Sequence, residues 1–534
     1  MNQAVWRTIH ALLAVALVGC SSMEMAMTRG YADTGYWGMS EANDMASGTT
    51  SSWGTGTTAS TGFEETEEDS LLLPPAQTDV YVFVANPNRD TVTRVNVLTH
   101  EVRTTEVGRE PSLVLTTPDY RHAAVFNQGE DSVSIIESES LSVNTVDVRD
   151  NFNAMVMSPE GMWVALWHDQ DRDDAGDSNG LQSFNEVSFV HLPTGDHFPM
   201  AVGYNPGSVV FTPDGALAAV VSDAYLAVVD LTAETPLPQL IALSDDLLNP
   251  PEAQEVLVSP NGSYAFVRQF GVEELLVVDL DARTVDMIPV GTNPTDIDLA
   301  PGGMEAIVVA RGSNEVHVLQ TTDPFAPAHV VDLPEGVSLG SIQLDPTGDL
   351  AIVYTTASAL DVYATWDRTT DEVVLRPLVK PIDHVAISPN GESMMVFHTY
   401  EDAPDADHSS PFFEEWAVTL VSISNSFLTN PLLLEAEPTG YANGTNGDRG
   451  FFIMDGEESL VEVDYRTLLH ESIDLKSEPV FVGVLPDLDL EDGQDAQAWA
   501  SQEHHLGRIS FYDPNDASLE TITGFELNAD IEED

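Results

Sequence analysis

From about residue 70 the chain repeats one phrase: a short apolar run, a tight polar turn, then a second apolar run. The turns read TPDY (117–120), SPEG (158–161), TPDG (212–215), SPNG (259–262), APGG (300–303), DPTG (345–348) and SPNG (388–391). Proline presets φ at the first turn position and glycine accepts positive φ, so each phrase predicts a hairpin. The fifth unit, 255–291, shows the whole period. EVLVS, YAFVRQ, ELLVVDL and VDMIPVG are four β-rich runs separated by polar breaks.

The turn prolines fall at 118, 159, 213, 260, 301, 346 and 389, one every 41 to 54 residues. Pro75 extends the series backward, and a cryptic TNGD turn (445–448) and Pro486 extend it forward, giving ten units. Four short strands per 40–50 residues predict an all-β chain, a β-propeller of four-stranded antiparallel blades. A lone four-stranded sheet leaves both faces wet, and packing against neighbours in a ring covers them. A β-sandwich array would not keep one turn type at one phase for so long. Ten units exceed the usual range of about four to eight blades. They form either one wide ring or a smaller ring plus a second sheet assembly, and one ring is the simpler expectation. The propeller is expected over 70–528, with its last strands in 508–528 and an acidic tail at 529–534.

Further features recur at fixed phase. Second strands end in small polar residues (FVANPN, 83–88; IVVARGSNEV, 307–316). Third strands end in an acid (VVDLD, 277–281; VEVDY, 461–465), and IPVGTNP (288–294) precedes the next turn. With these features residues 70–534 resemble the YVTN-repeat, or surface-layer-like, β-propellers. The resemblance implies the fold and leaves the function open.

The N-terminal pattern differs. Residues 1–10 carry Arg7 and no acid, residues 11–18 (ALLAVALV) are wholly apolar, and the single cysteine of the chain stands at Cys20. Eight apolar residues match a signal-peptide core and are too short to span a bilayer. Leu17-Val18-Gly19-Cys20 resembles the lipobox of bacterial lipoproteins. The resemblance implies a signal peptide over 1–19, acylation at Cys20, and an outer-membrane anchor, since Ser21 rather than Asp follows. Residues 21–70 are rich in Ser, Thr, Gly and acids without periodicity, which reads as a tether. Fifty such residues reach about 40 Å at about 5–6 Å times the square root of length.

Charge narrows the partners. The chain has 88 acids against 19 bases, a formal net charge of −69. Such a surface repels phosphate backbones, so nucleic acid is excluded as a partner class. It also repels anionic lipid, leaving the N-terminal lipid as the membrane contact. Only Lys380 and Lys476 are lysines. With one cysteine, neither an internal disulfide nor covalent c-type haem can form.

The long departures from the repeat are second-to-third-strand loops: 168–186 in unit three, 399–416 in unit eight and, shorter, 501–507 in unit ten. All are expected on one face, the candidate binding face, with Glu401, Asp402, Asp405, Asp407, His408, Trp416, His504 and His505 as its candidates. Asp169, Asp171, Asp173, Asp174 and Asp177 invite a Ca²⁺ reading, because hard cations take clustered carboxylates. Asp174 and Gly180 stand where an EF-hand needs Gly and Glu, so the choice is between an irregular Ca²⁺ loop and a solvated acidic one. Adjacent histidines on a strand point to opposite faces, which argues against one ion on His504 and His505. Trp163, Trp167 and Trp366 lie within strands and are expected in blade packing, whereas Trp416 is expected to be exposed enough to stack on a sugar.

Neither a metal-protease, a serine-hydrolase nor a phosphate-loop motif occurs. The leading expectation is therefore a non-catalytic, lipid-anchored binding or scaffold module of the envelope, with a protein or glycan as partner. Two rivals stand beside it: a metal-dependent hydrolase or lactonase at the channel mouth, and a surface protein cross-linked by Ca²⁺.

Overall fold

The computed structural model describes residues 75–169, 185–244, 253–269, 271–404, 406–486 and 496–528. Cys20, the signal and tether segments, Asp171, Asp173, Asp174, Asp177, Asp405 and the tail lie outside these residues. Among the described residues there are ten four-stranded sheets, each with its strands in sequential order and antiparallel. They form a ten-bladed β-propeller, with helix limited to short 3-10 turns. No described helix is long and apolar enough to cross a membrane. The fifth blade matches its expected strands: Ala253–Val258, Tyr264–Gln269, Glu274–Asp279 and Thr284–Pro289.

Strand alternation makes the ring. In blade 4, Ala218 and Val220 pack with blade 3, while Ala219 and Val221 pack with blade 5. Every blade so serves two interfaces, and ten apolar clusters each join one pair of neighbouring blades. Among the described residues no strand is shared across the closure. Instead Val82, Val95 and Val97 of blade 1 pack on Trp499, Phe511 and Phe525 at the C-terminal end. Gln77 Nε2 donates to the Val484 carbonyl and Trp499 Nε1 donates to Gln77 Oε1, both at 2.6 Å.

The repeated turn is held by one local network. Thr117 Oγ1 donates to Asp119 Oδ1 at 2.7 Å and accepts from the His122 amide at 3.1 Å. Thr212 with Asp214, Ser259 with Asn261 and Ser388 with Asn390 repeat it. Where a third strand ends in Asp, that residue has a similar task. Asp279 Oδ1 accepts from the amides of Asp281 and Ala282, tightening the last hairpin of its blade.

Candidate binding site

The link from blade 7 to blade 8 ends at Lys380-Pro381, and the loop 399–416 folds back over it. Lys380 is 1 % exposed. Its ammonium donates to the Tyr400 carbonyl (2.9 Å), to Asp402 Oδ1 (2.8 Å) and to the Phe412 carbonyl (3.1 Å). Three donors therefore meet three acceptors, the condition for keeping a lysine inside a protein. Asp402 Oδ2 accepts from the Glu414 amide at 2.7 Å, tying the far end of the same loop. Asp402, expected on the binding face, is instead the anchor that shapes it.

Beneath the loop lies His398, fully buried. Its Nδ1 is 3.0 Å from the Pro381 carbonyl, which can only accept, so Nδ1 carries the proton. Nε2, 2.7 Å from Thr419 Oγ1, then accepts the hydroxyl hydrogen. Burial pushes the imidazole down to about 4 and keeps it neutral.

Above this floor a cavity of about 400 Å³ opens on the loop-bearing face. Its walls come from three blades: 356–359 of blade 7, Pro381, Ile382, Asp383, Thr399–Glu401 and Trp416 of blade 8, and Glu437 and Pro438 at the start of blade 9. The Trp416 and Tyr400 rings meet at 5.4 Å between centroids, tilted by 55°. Tyr400 is 46 % exposed. Trp416 is half-buried, whereas the other described tryptophans, Trp163, Trp167, Trp366 and Trp499, are buried. The Glu437 carboxyl is pushed up, first by partial desolvation and then by the Asp455 charge.

The candidates thus separate. Glu401 and Trp416 enter the cavity wall. Asp407 is exposed and turned onto Ser409, whose amide and hydroxyl it accepts at 2.9 and 2.7 Å. The Ser409 hydroxyl bond in turn holds that carboxyl below its usual range. His408 stacks on Phe413 at 4.3 Å. Neither Asp407 nor His408 lines the cavity. His504 and His505 stand in the turn after Gln502, past the strand end, so the opposite-face argument does not apply to them. Their ring centroids lie 4.6 Å apart, and His504 Nδ1 accepts from the Leu506 amide at 3.2 Å. Asp169 is buried at the root of its loop, where its backbone amide and carbonyl pair with the Asn153 side chain. Among the described residues no three His, Cys, Asp or Glu side chains gather as a metal site. Nothing in the linear pattern marks Tyr400, Asp383 or Glu437, because they converge with Lys380 only when three blades are set side by side. The rarity of lysine was the one available signal for Lys380.

No protein-family model matches the chain, and no curated protein does. Similar solved structures include a eukaryotic initiation factor, at 12 % identity over 74 % of this chain and 97 % of that one, TM-score 0.49. The dihydro-heme d1 dehydrogenase NirN is similar at 11 % identity over 76 % of both chains, TM-score 0.43. Apo AztD from Citrobacter koseri is similar at 12 % identity over 57 % of this chain and 84 % of that one, TM-score 0.35.

Proposed function

We propose that the protein is a non-catalytic binding module of the cell envelope, held at the outer membrane by a lipid on Cys20. It presents the loop-bearing face of a ten-bladed ring to a small ligand or to a group on an envelope protein or glycan. The cavity under Trp416 carries this reading. A tryptophan left half-open beside an exposed tyrosine, over a loop anchored by a buried ion pair, is a preformed concave surface with a few fixed polar groups. The YVTN-like repeat and the lipobox-like LVGC support the setting.

Two measurements test it. Radiolabelled palmitate should enter the protein in cells, and Cys20→Ser should abolish both the label and sedimentation with membranes. Trp416 fluorescence of the purified protein should respond saturably to members of a ligand panel of amines, peptides and glycans. Turnover of an ester or lactone, abolished by chelator, would instead establish the metal-dependent hydrolase. Calcium-dependent self-association would favour the cross-linked surface protein, a reading that rests on the loop around Asp171–Asp177.

A further inference from the structure

We propose that the cavity under Trp416 binds an organic cation, an alkylammonium or guanidinium group. The inference rests on the binding reading above and names the ligand class for that site.

The wall chemistry points there. Two aromatic rings, Trp416 and Tyr400, share the lining with three carboxylates, Asp383, Glu401 and Glu437, and no Lys, Arg or His is among the lining residues. Lys380 lies nearby, 5.9 Å from the Tyr400 ring centroid, but it is buried and its donors are spent on Asp402 and two carbonyls. An aromatic face attracts a cation through its quadrupole, and surrounding carboxylates add long-range attraction. The carboxylates do not gather into a metal-chelating group. Charges spread around an aromatic wall suit a large, diffuse cation better than a small hard one.

The molecule supplies its own comparison. A second cavity, of about 390 Å³ and lined by residues of blades 7 and 8, has a similar wall: three carboxylates, Asp349, Asp367 and Glu372, with the aromatic ring of Phe427. There the cation belongs to the chain. The Arg376 guanidinium sits 3.5 Å over the Phe427 ring. No Lys, Arg or His lines the cavity under Trp416, and an external cation would take the place that Arg376 takes in the second cavity. The raised Glu437 carboxyl fits this, because an arriving positive charge stabilises the ionised form.

A chain this acidic attracts polycations everywhere, so the test uses singly charged probes in about 0.5 M NaCl, where the screening length falls to a few ångströms. Binding of choline, a quaternary ammonium, is compared with its neutral isostere 3,3-dimethylbutan-1-ol in the full-length protein by calorimetry and intrinsic tryptophan fluorescence. N-acetyl-lysine N-methylamide and N-acetyl-arginine N-methylamide represent side chains of a protein partner. The expected result is saturable binding of at least one cation, at least tenfold tighter than the isostere. Trp416→Ala, and separately Glu401→Gln combined with Asp383→Asn, should each weaken it at least tenfold with the melting temperature retained. The pattern among choline, lysine and arginine probes identifies the source. Equal binding of choline and its isostere, or binding that ignores both variants, overturns the inference. Saturable binding of maltopentaose at Trp416 without any cation binding also overturns it, while leaving the binding-module reading intact. Silence of every probe overturns it too, and the membrane and panel measurements above then judge the broader reading.

Discussion

Gly303 lies against the ring of Pro260, one blade earlier, so closely that a Cβ at 303 would overlap Pro260 Cγ. Pro260 is the second residue of its turn and Gly303 the fourth residue of the next. The contact recurs: a Cβ at Gly161 would come 2.7 Å from Pro118 Cδ, and one at Gly348 would come 2.9 Å from Pro301 Cδ. The turn motif is therefore also an inter-blade joint, with the proline of one blade filling the space that glycine leaves in the next.

Gly302 and Gly303 separate the two demands on that glycine. Both have positive φ, 86° and 67°, but a Cβ at Gly302 would meet nothing within 4 Å. Gly302→Ala should cost only the conformational penalty, about 1 kcal/mol. Gly303→Ala adds overlap with a proline ring that cannot swing aside, and should cost about 2–4 kcal/mol, within the range of core overpacking added to that penalty. Denaturant unfolding of the two variants checks it. Equal losses would mean that the joint carries no energy.

The loop anchor gives a second expectation. Lys380→Met leaves the Asp402 carboxylate, 10 % exposed, without its cation. Breaking a buried pair from one side costs about 3–5 kcal/mol. Lys380→Met combined with Asp402→Leu removes the stranded charge and should recover part of that stability. It should not recover ligand binding, because the carbonyls of Tyr400 and Phe412 and the Glu414 amide lose their shared hub. A double variant no more stable than the single one would sink this account.

The ring was legible because its two determinants are local. Turn chemistry is written in four residues, and a period-2 apolar strand repeated at one phase implies a face that only a neighbour can cover. The candidate site was legible in part. Loop 399–416 announced itself by length and Trp416 by its place outside a strand. The remaining wall was not, since Asp383 and Glu437 are ordinary acids among 88 and meet the loop only through blade geometry. The pairing of Asp402 was hidden for the same reason: it depends on Lys380, twenty-two residues away and under it. The arrangement of the adjacent histidines was not legible, because the strand ends at Gln502 and the turn draws their rings together.

Closure depends on non-covalent contacts alone among the described residues, and Gln77 concentrates them. Gln77→Leu leaves the Trp499 indole N–H and the Val484 carbonyl without that partner. Unsatisfied buried groups cost about 1–3 kcal/mol each, so a loss of about 2–6 kcal/mol is expected. Arg89→Ala removes an exposed closure contact, the Arg89–Glu526 pair at 2.8 Å, and should cost less than about 1 kcal/mol. Truncation at residue 507 removes two strands of blade 10, Arg508–Asp513 and Ser518–Thr523, and opens a new sheet edge at Ala498–Gln502. It should lower the melting temperature of the whole head. A truncated protein that melts like the intact one would refute closure by these strands.

Net charge sets the salt response. At −69, self-repulsion opposes the compact state, and salt shortens its range from about 10 Å at 0.1 M to about 3 Å at 1 M. The melting temperature should rise with NaCl across that interval. A flat or falling profile would show that attractive ion pairs, such as Arg268–Glu255, outweigh the repulsion.

His398 predicts a pH dependence of definite sign. Its ordinary value is 6.5, and burial lowers it to about 4 in the folded protein. The unfolded chain therefore binds a proton below about pH 6.5 that the folded chain refuses until about pH 4, so stability falls with pH inside that window. The contribution is complete above pH 6.5, and this group adds no further loss below pH 4. At about 1.4 kcal/mol per unit the loss is of order 3 kcal/mol. Lys380 sharpens it, since its positive charge disfavours a second one on the neighbouring ring. Carboxylates titrate in the lower part of the window, so the measurement is a difference. Urea unfolding of wild type and His398→Gln between pH 4 and 7.5 should give a variant that is less stable at pH 7.5 and closes the gap on acidification. A gap that stays constant across the window would show that His398 is protonated alike in both states, and the buried neutral imidazole would have to be given up.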